Sequence, residues 1–201
     1  MRLGFAAEHP APYLESMATM KAYQRSGSRE IYRNAWLAIE IHQIVHPTGR
    51  PGEHALIVTP AASAVLVADG GDLLFARQAR FGAQAQILEV VKGGAEPGES
   101  ALDCARREVR EELGVVAAEW EPLGRLYEIP SIMNSPVELF VARGIEHVET
   151  EFEPVESIEL VRVPEAVAFA AAASGQINDA VTVAALLRYA LKTGRLVPAA
   201  E

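Results

Sequence analysis

The sequence predicts an α/β (α+β) fold in which a mixed sheet is flanked by helices. Three observations carry that prediction. Short apolar or alternating runs recur along the chain, bounded by Gly, Pro and Asp. Residues 100–113 and 179–193 place apolar side chains at helical spacing. Strand-like and helix-like segments do not alternate regularly, which argues against a uniformly parallel sheet. With 201 residues, 50% of them hydrophobic, the chain is long enough for one sizeable core or a core with an appended subdomain.

The elements follow in order. Residues 1–28 mix Ala, Met, Pro and Tyr without periodicity and read as a loosely attached arm or short helix. Residues 30–46 alternate around Trp36, Ile39, Ile41 and Ile44 and read as a strand. A Pro/Gly turn at 47–53 leads to a second strand at 54–60. Residues 64–68 and 72–76 flank an Asp-Gly-Gly turn, a hairpin signal. Residues 87–91 form a short apolar run, and 123–128, 137–142 and 158–163 complete the strand candidates. Helices are expected from Ser100 to Gly114, over 164–173 and over 179–193. In the last, Val183, Leu186, Leu187, Ala190 and Leu191 form an apolar stripe.

Charge and composition narrow the functions. A net charge of -9 argues against non-specific binding to nucleic acid or to an anionic membrane. The single cysteine, Cys104, excludes an intramolecular disulfide framework. No run reaches the roughly 18 apolar residues needed to span a bilayer. The first residues make a poor secretory signal, so a cytoplasmic location is expected. The histidines have no metal-ligand spacing, which argues against zinc.

The segment GGAEPGESALDCARREVREELGV, residues 93–115, is the most informative. Ser100 offers an N-cap and Gly114 a left-handed C-cap. At about 100° per residue, Leu102, Ala105, Val109 and Leu113 share one face, while Glu108, Glu111 and Glu112 crowd another. Glu108 and Glu112 are a like-charge i,i+4 pair, and acids in a last turn oppose the helix dipole. Arg107 reaches Glu111 but cannot neutralise all three acids. On charge alone two readings stand: a solvated acidic face, or a carboxylate site for a hard divalent cation such as Mg²⁺.

The same segment matches G-x5-E-x7-R-E-U-x-E-E-x-G-U, with U aliphatic, at Gly93, Glu99, Arg107, Glu108, Val109, Glu111, Glu112, Gly114 and Val115. In this the chain resembles the Nudix hydrolase family. The resemblance implies an α/β/α sandwich with a mixed sheet, and hydrolysis of a nucleoside diphosphate derivative with Mg²⁺ or Mn²⁺. It implies Glu108, Glu111, Glu112 and the carbonyl of Lys92 as metal ligands. Glu99 then lies at the loop-to-helix junction, and Arg107 orients Glu99 and Glu111 by charge-assisted hydrogen bonds. Glu99, Arg107 and Glu111 form the catalytic set with a general base. In relatives that base often sits on a loop before the last strand, here Glu153 or Glu156.

Beyond the box, the segments at 30–50, 65–80 and 87–100 resemble the ADP-ribose pyrophosphatase and ADP-compound hydrolase branch. That resemblance implies a dimerising strand region over 1–58, a hydrolase domain over 59–201, a small nucleotide substrate and a homodimer. Pro130 lies 15 residues after Val115, a spacing associated with ADP-ribose hydrolysis. The loop at 129–135, which includes Pro130 and Met133, nevertheless has Ser135 where the typical S-P-G-x-x-x-E pattern has its acidic residue. Arg77 and Arg80 are candidates to grip a pyrophosphate, and ordinary solvated arginines are the other reading. Trp36 is either a stacking platform for adenine or a buried strand aromatic. Glu89, an acid in an apolar run, needs a metal or a cation beside it. A nucleotide sensor without catalysis, and hydrolysis of NADH, diadenosine polyphosphates or ADP-sugars, are the rival readings.

Overall fold

The computed structural model describes residues 22–149 and 158–195. The chain divides into two compact units, one ending at Val58 and the other beginning at Thr59. Among the described residues no helix is long and apolar enough to cross a membrane.

The first unit is an antiparallel meander of β1 (Gln24–Arg33), β2 (Ala38–Val45) and β3 (Pro51–Val58). Two expectations change here. Residues 24–28, read as part of the arm, are the first half of β1. The single strand expected over 30–46 is two strands that reverse at Asn34. The Asn34 side-chain oxygen accepts the N–H groups of Trp36 at 2.9 Å and Leu37 at 2.8 Å, a local substitute for a backbone turn. Because apolar residues continue at period two beyond the reversal, alternation alone does not reveal it.

The second unit holds β4 (Ala62–Asp69), β5 (Asp72–Arg80), β6 (Ala85–Glu89), β7 (Val91–Gly94), β8 (Val115–Tyr127), β9 (Pro136–His147) and β10 (Ile158–Pro164). Its helices are α1 (Ala101–Leu113), α2 (Glu165–Ser174) and α3 (Ala180–Lys192). The sheet runs β10-β5-β4-β9-β8, with β6 paired to β5 and β7 to β4. β4 and β9 are parallel and the other pairs antiparallel, so the sheet is mixed, as expected. Gly70 and Gly71 close the β4–β5 hairpin with φ of +60° and +100°, a turn that side chains disfavour at both positions.

Successive residues of β4 and β5 feed two separate cores. Leu66, Leu73 and Phe75 pack with Ala168, Val181 and Leu186 of the α2–α3 layer. Val65, Val67, Leu74 and Ala76 pack with Ala105, Val109 and Leu113 of α1. A sheet covered on both faces needs apolar residues at consecutive positions, which is why these strands read as unbroken apolar runs. The result is an α/β/α sandwich.

α3 is rotated from its expected orientation. Its buried side carries Val181, Thr182, Ala185, Leu186, Tyr189 and Ala190, while Leu187 and Leu191 are each 51% exposed. Polar anchors fix that rotation. The buried Val90 N–H donates to Thr182 Oγ1 at 2.9 Å, and the Tyr189 hydroxyl donates to Glu165 at 2.6 Å. Thr182→Val keeps the shape but orphans the Val90 N–H. The expected cost is about 1–3 kcal/mol, read as a lower urea midpoint with an unchanged m-value.

Candidate active site

The site is built on α1 and the loop before it. Ser100 Oγ caps the helix by accepting the Asp103 N–H at 3.1 Å, and Gly114 ends it at φ +60°. Ser63 Oγ donates to the Ala101 carbonyl at 2.6 Å, which ties β4 to the first turn. At the end of β7, Gly93 lies so close to α1 that a Cβ there would meet the Glu108 carboxyl carbon at 1.9 Å. No other residue fits that position without displacing the carboxylate.

Arg107 organises the acids. Its Nε and Nη2 donate to Glu99 Oε1 and Oε2, both at 3.0 Å. Nη1 donates to Glu108 Oε1 at 2.7 Å and to Glu111 Oε2 at 3.0 Å. Nη2 also reaches the Gly94 carbonyl at 3.0 Å, so one guanidinium joins the loop to the helix. Its hydrogen bonds to Glu99 hold the Glu99 carboxyl below the usual range. The same bonds, followed by those to Glu108 and Glu111, raise the Arg107 pKa far above its ordinary value despite partial burial.

A second cation–acid pair faces the helix from the sheet. Glu89, only 2% exposed, takes a bidentate pair from Arg80, with Nε to Oε1 at 2.6 Å and Nη2 to Oε2 at 2.9 Å. Register explains the placement. Glu89 lies opposite Ala76, which packs against α1, so both belong to the α1 face. The Arg80 pKa is raised first by Glu89, and also by Glu112 and Asp179, so these acids lie within its electrostatic reach. Glu112 is itself buried at 6% exposure.

Other candidates lie elsewhere. Arg77 is three residues from Arg80 on the same strand and therefore faces the opposite side, where it pairs with Glu159. The two arginines do not converge on one phosphate. The Lys92 side chain pairs with Glu128 at 2.7 Å, at the entry to the loop carrying Pro130 and Met133. In that loop Pro130 is exposed and Met133 half-buried, and the Ile129 carbonyl accepts the N–H groups of Ile132 and Met133. Trp36, in the first unit, is 76% exposed at the β1–β2 bend, neither in a strand nor buried. Glu153 and Glu156 fall outside the described residues. Glu128 and Asp179 do not stand out in the sequence. The signal for Glu128 was Lys92 itself, a charge in an apolar run that calls for a partner.

The donor set is oxygen-rich and carboxylates outnumber cations, which fits a hard divalent ion. Among the described residues no three His, Cys, Asp or Glu side chains converge as a ready-made metal-binding group. Instead, Glu108 and Glu111 are gathered on one nitrogen of Arg107.

A match to the NUDIX domain spans residues 58–186. The chain is 26% identical over 166 residues to the ADP-ribose pyrophosphatase of Bacillus subtilis (strain 168), covering 81% of this chain and 90% of that protein. It is 29% identical over 146 residues to the ADP compounds hydrolase NudE of Escherichia coli (strain K12), covering 73% of each. A crystal structure of an ADP compounds hydrolase superposes with a TM-score of 0.75 at 23% identity, over 89% of this chain and 99% of that one, and so shares the fold. On the domain match, the chain belongs to the NUDIX family.

Proposed function

We propose that this pyrophosphohydrolase cleaves ADP-ribose to AMP and ribose 5-phosphate with Mg²⁺ or Mn²⁺. The observation that carries the reading is the pair of α1 carboxylates, Glu108 and Glu111, held on one nitrogen of Arg107, with Glu108 packed against Gly93. Glu108, Glu111 and Glu112, with the Lys92 carbonyl, are the proposed ligands. When bound, the cation supplies Lewis acidity, lowering the pKa of a water and offsetting charge on the phosphoryl oxygens. Arg107 keeps two of the acids oriented and limits their mutual repulsion. Glu99 in turn fixes the plane of the guanidinium through a two-bond fork. The substrate phosphate is assigned to Arg80, a reading supported by its fixed orientation beside Glu89 on the α1 face. The names of the relatives support an ADP-linked substrate.

Incubation with ADP-ribose and Mg²⁺, followed by chromatography, is expected to yield AMP and ribose 5-phosphate in equal amounts. Glu112→Gln should abolish that turnover while far-UV circular dichroism stays unchanged. Wild-type rates in this variant at saturating Mg²⁺ would refute the ligand role.

A lysine keeps the charge of Arg107 but cannot make the fork. Arg107→Lys is therefore expected to raise the Mg²⁺ concentration for half-maximal rate by about 10–100-fold, as for loss of a group that orients metal ligands. An unchanged metal dependence would show that the carboxylates orient themselves.

We also propose a homodimer built by the first unit, where edge strand β1 exposes Ile31 and Tyr32. Light scattering at assay concentration should give twice the 21.7 kDa chain mass, and a monomer there would exclude it.

A further inference from the structure

On the outer side of α1, away from its apolar face, lies a cavity of about 560 Å³ between the helix and edge strand β8. Its walls include Arg106, Arg110, Val116 and Trp120, and at one end Arg107 and Glu111. Arg106 and Arg110 fall at open positions of the box, so the chemistry of the motif does not require them. They are one helical turn apart and therefore project to the same side of α1.

Each wall has a defined chemistry. The indole N–H of Trp120 donates to the Ala117 carbonyl at 3.0 Å, which satisfies its polar edge and fixes the ring. The Arg106 guanidinium lies over that ring, 5.9 Å from its centroid. The ion pair of Arg106 with Asp103 is long, at 3.4 Å, and both side chains are largely exposed. A surface pair of that kind holds its arginine weakly. Arg107, by contrast, is engaged by Glu99, Glu108 and Glu111. A bound anion is therefore repelled from the Glu111 end and drawn toward Arg106, with Arg110 on the same wall.

We infer that this cavity is a second nucleotide site, which takes a purine nucleoside 5′-monophosphate separately from the carboxylate cluster. The base lies against the Arg106–Trp120 pair, since ring stacking on Trp and Arg is the chemistry that planar bases share. The phosphate bridges Arg106 and Arg110, whose forked donors suit its oxygens. The volume is within the range of small-molecule sites, about 300–1,000 Å³. Because Arg107 and Glu111 line the cavity and also belong to the acidic cluster, occupancy can be felt at both. The inference does not depend on the proposed hydrolysis.

The test is made without metal, so that the carboxylate cluster contributes no cation-bridged binding. Trp36→Phe leaves Trp120 as the one indole, and its fluorescence is titrated with AMP in EDTA. Saturable quenching is expected, with adenosine or inorganic phosphate alone binding at least about tenfold more weakly, each lacking one of the two contacts. Arg106→Gln and Arg110→Gln, both in the Trp36→Phe background, should each weaken AMP by about tenfold while thermal unfolding stays unchanged, because both side chains are on the surface. Absence of quenching, equal affinity for adenosine and AMP, or affinity unchanged in both arginine variants would overturn the site. A chain that hydrolyses nothing but binds AMP here would retain this inference and lose only the proposed function.

Discussion

One guanidinium holds the site together. Arg107 bonds to Glu99 in the loop, to Glu108 and Glu111 on the helix, and to the Gly94 carbonyl. Without it, the acids of the last turns would repel one another and oppose the helix dipole, each at a cost of some tenths of a kcal/mol. Breaking a fully buried ion pair costs about 3–5 kcal/mol, and the loss here is smaller because Arg107 and Glu111 still meet water. Arg107 thus converts a destabilising cluster into an ordered one. Gly93 adds the steric half of the same arrangement, since the loop can approach Glu108 only where no side chain intervenes.

The sheet supplies the second half of the site. Its two faces carry separate cores, and the parity of a residue along β5 decides which layer it meets. Arg80 and Glu89 fall on the α1 face and form a bidentate pair there. Arg77, at odd separation from Arg80, is committed to the other face and to Glu159. A buried Glu89 is tolerable because its partner satisfies both oxygens. The sheet therefore presents an oriented cation toward the acidic helix and keeps the second arginine away.

α1 serves three surfaces at once. Ala105, Val109 and Leu113 anchor it to the sheet, Glu108 packs against Gly93, and Arg106 with Arg110 borders the cavity beside Trp120. A helix that is rigid on its buried face holds both polar faces in constant relation. The cavity and the carboxylate cluster consequently share Arg107 and Glu111.

The caps at Ser100 and Gly114, the shared face of the three glutamates and the Gly70–Gly71 hairpin all follow from the sequence alone, because each depends on residues within a few turns of one another. The mixed sheet with helices on both sides was equally readable, since continuous apolar strands demand cover on both faces. The reversal at Asn34 was hidden, because alternation is blind to a turn that preserves it. The tertiary structure alone decided which acid meets which base. Arg80 with Glu89, Lys92 with Glu128, and Thr182 with the Val90 N–H join residues brought together by strand register and layer packing. The rotation of α3 and the pairing of Arg106 with Trp120 belong to the same class. Periodicity records how much of a helix or strand is apolar, whereas a polar partner across the fold sets its final rotation.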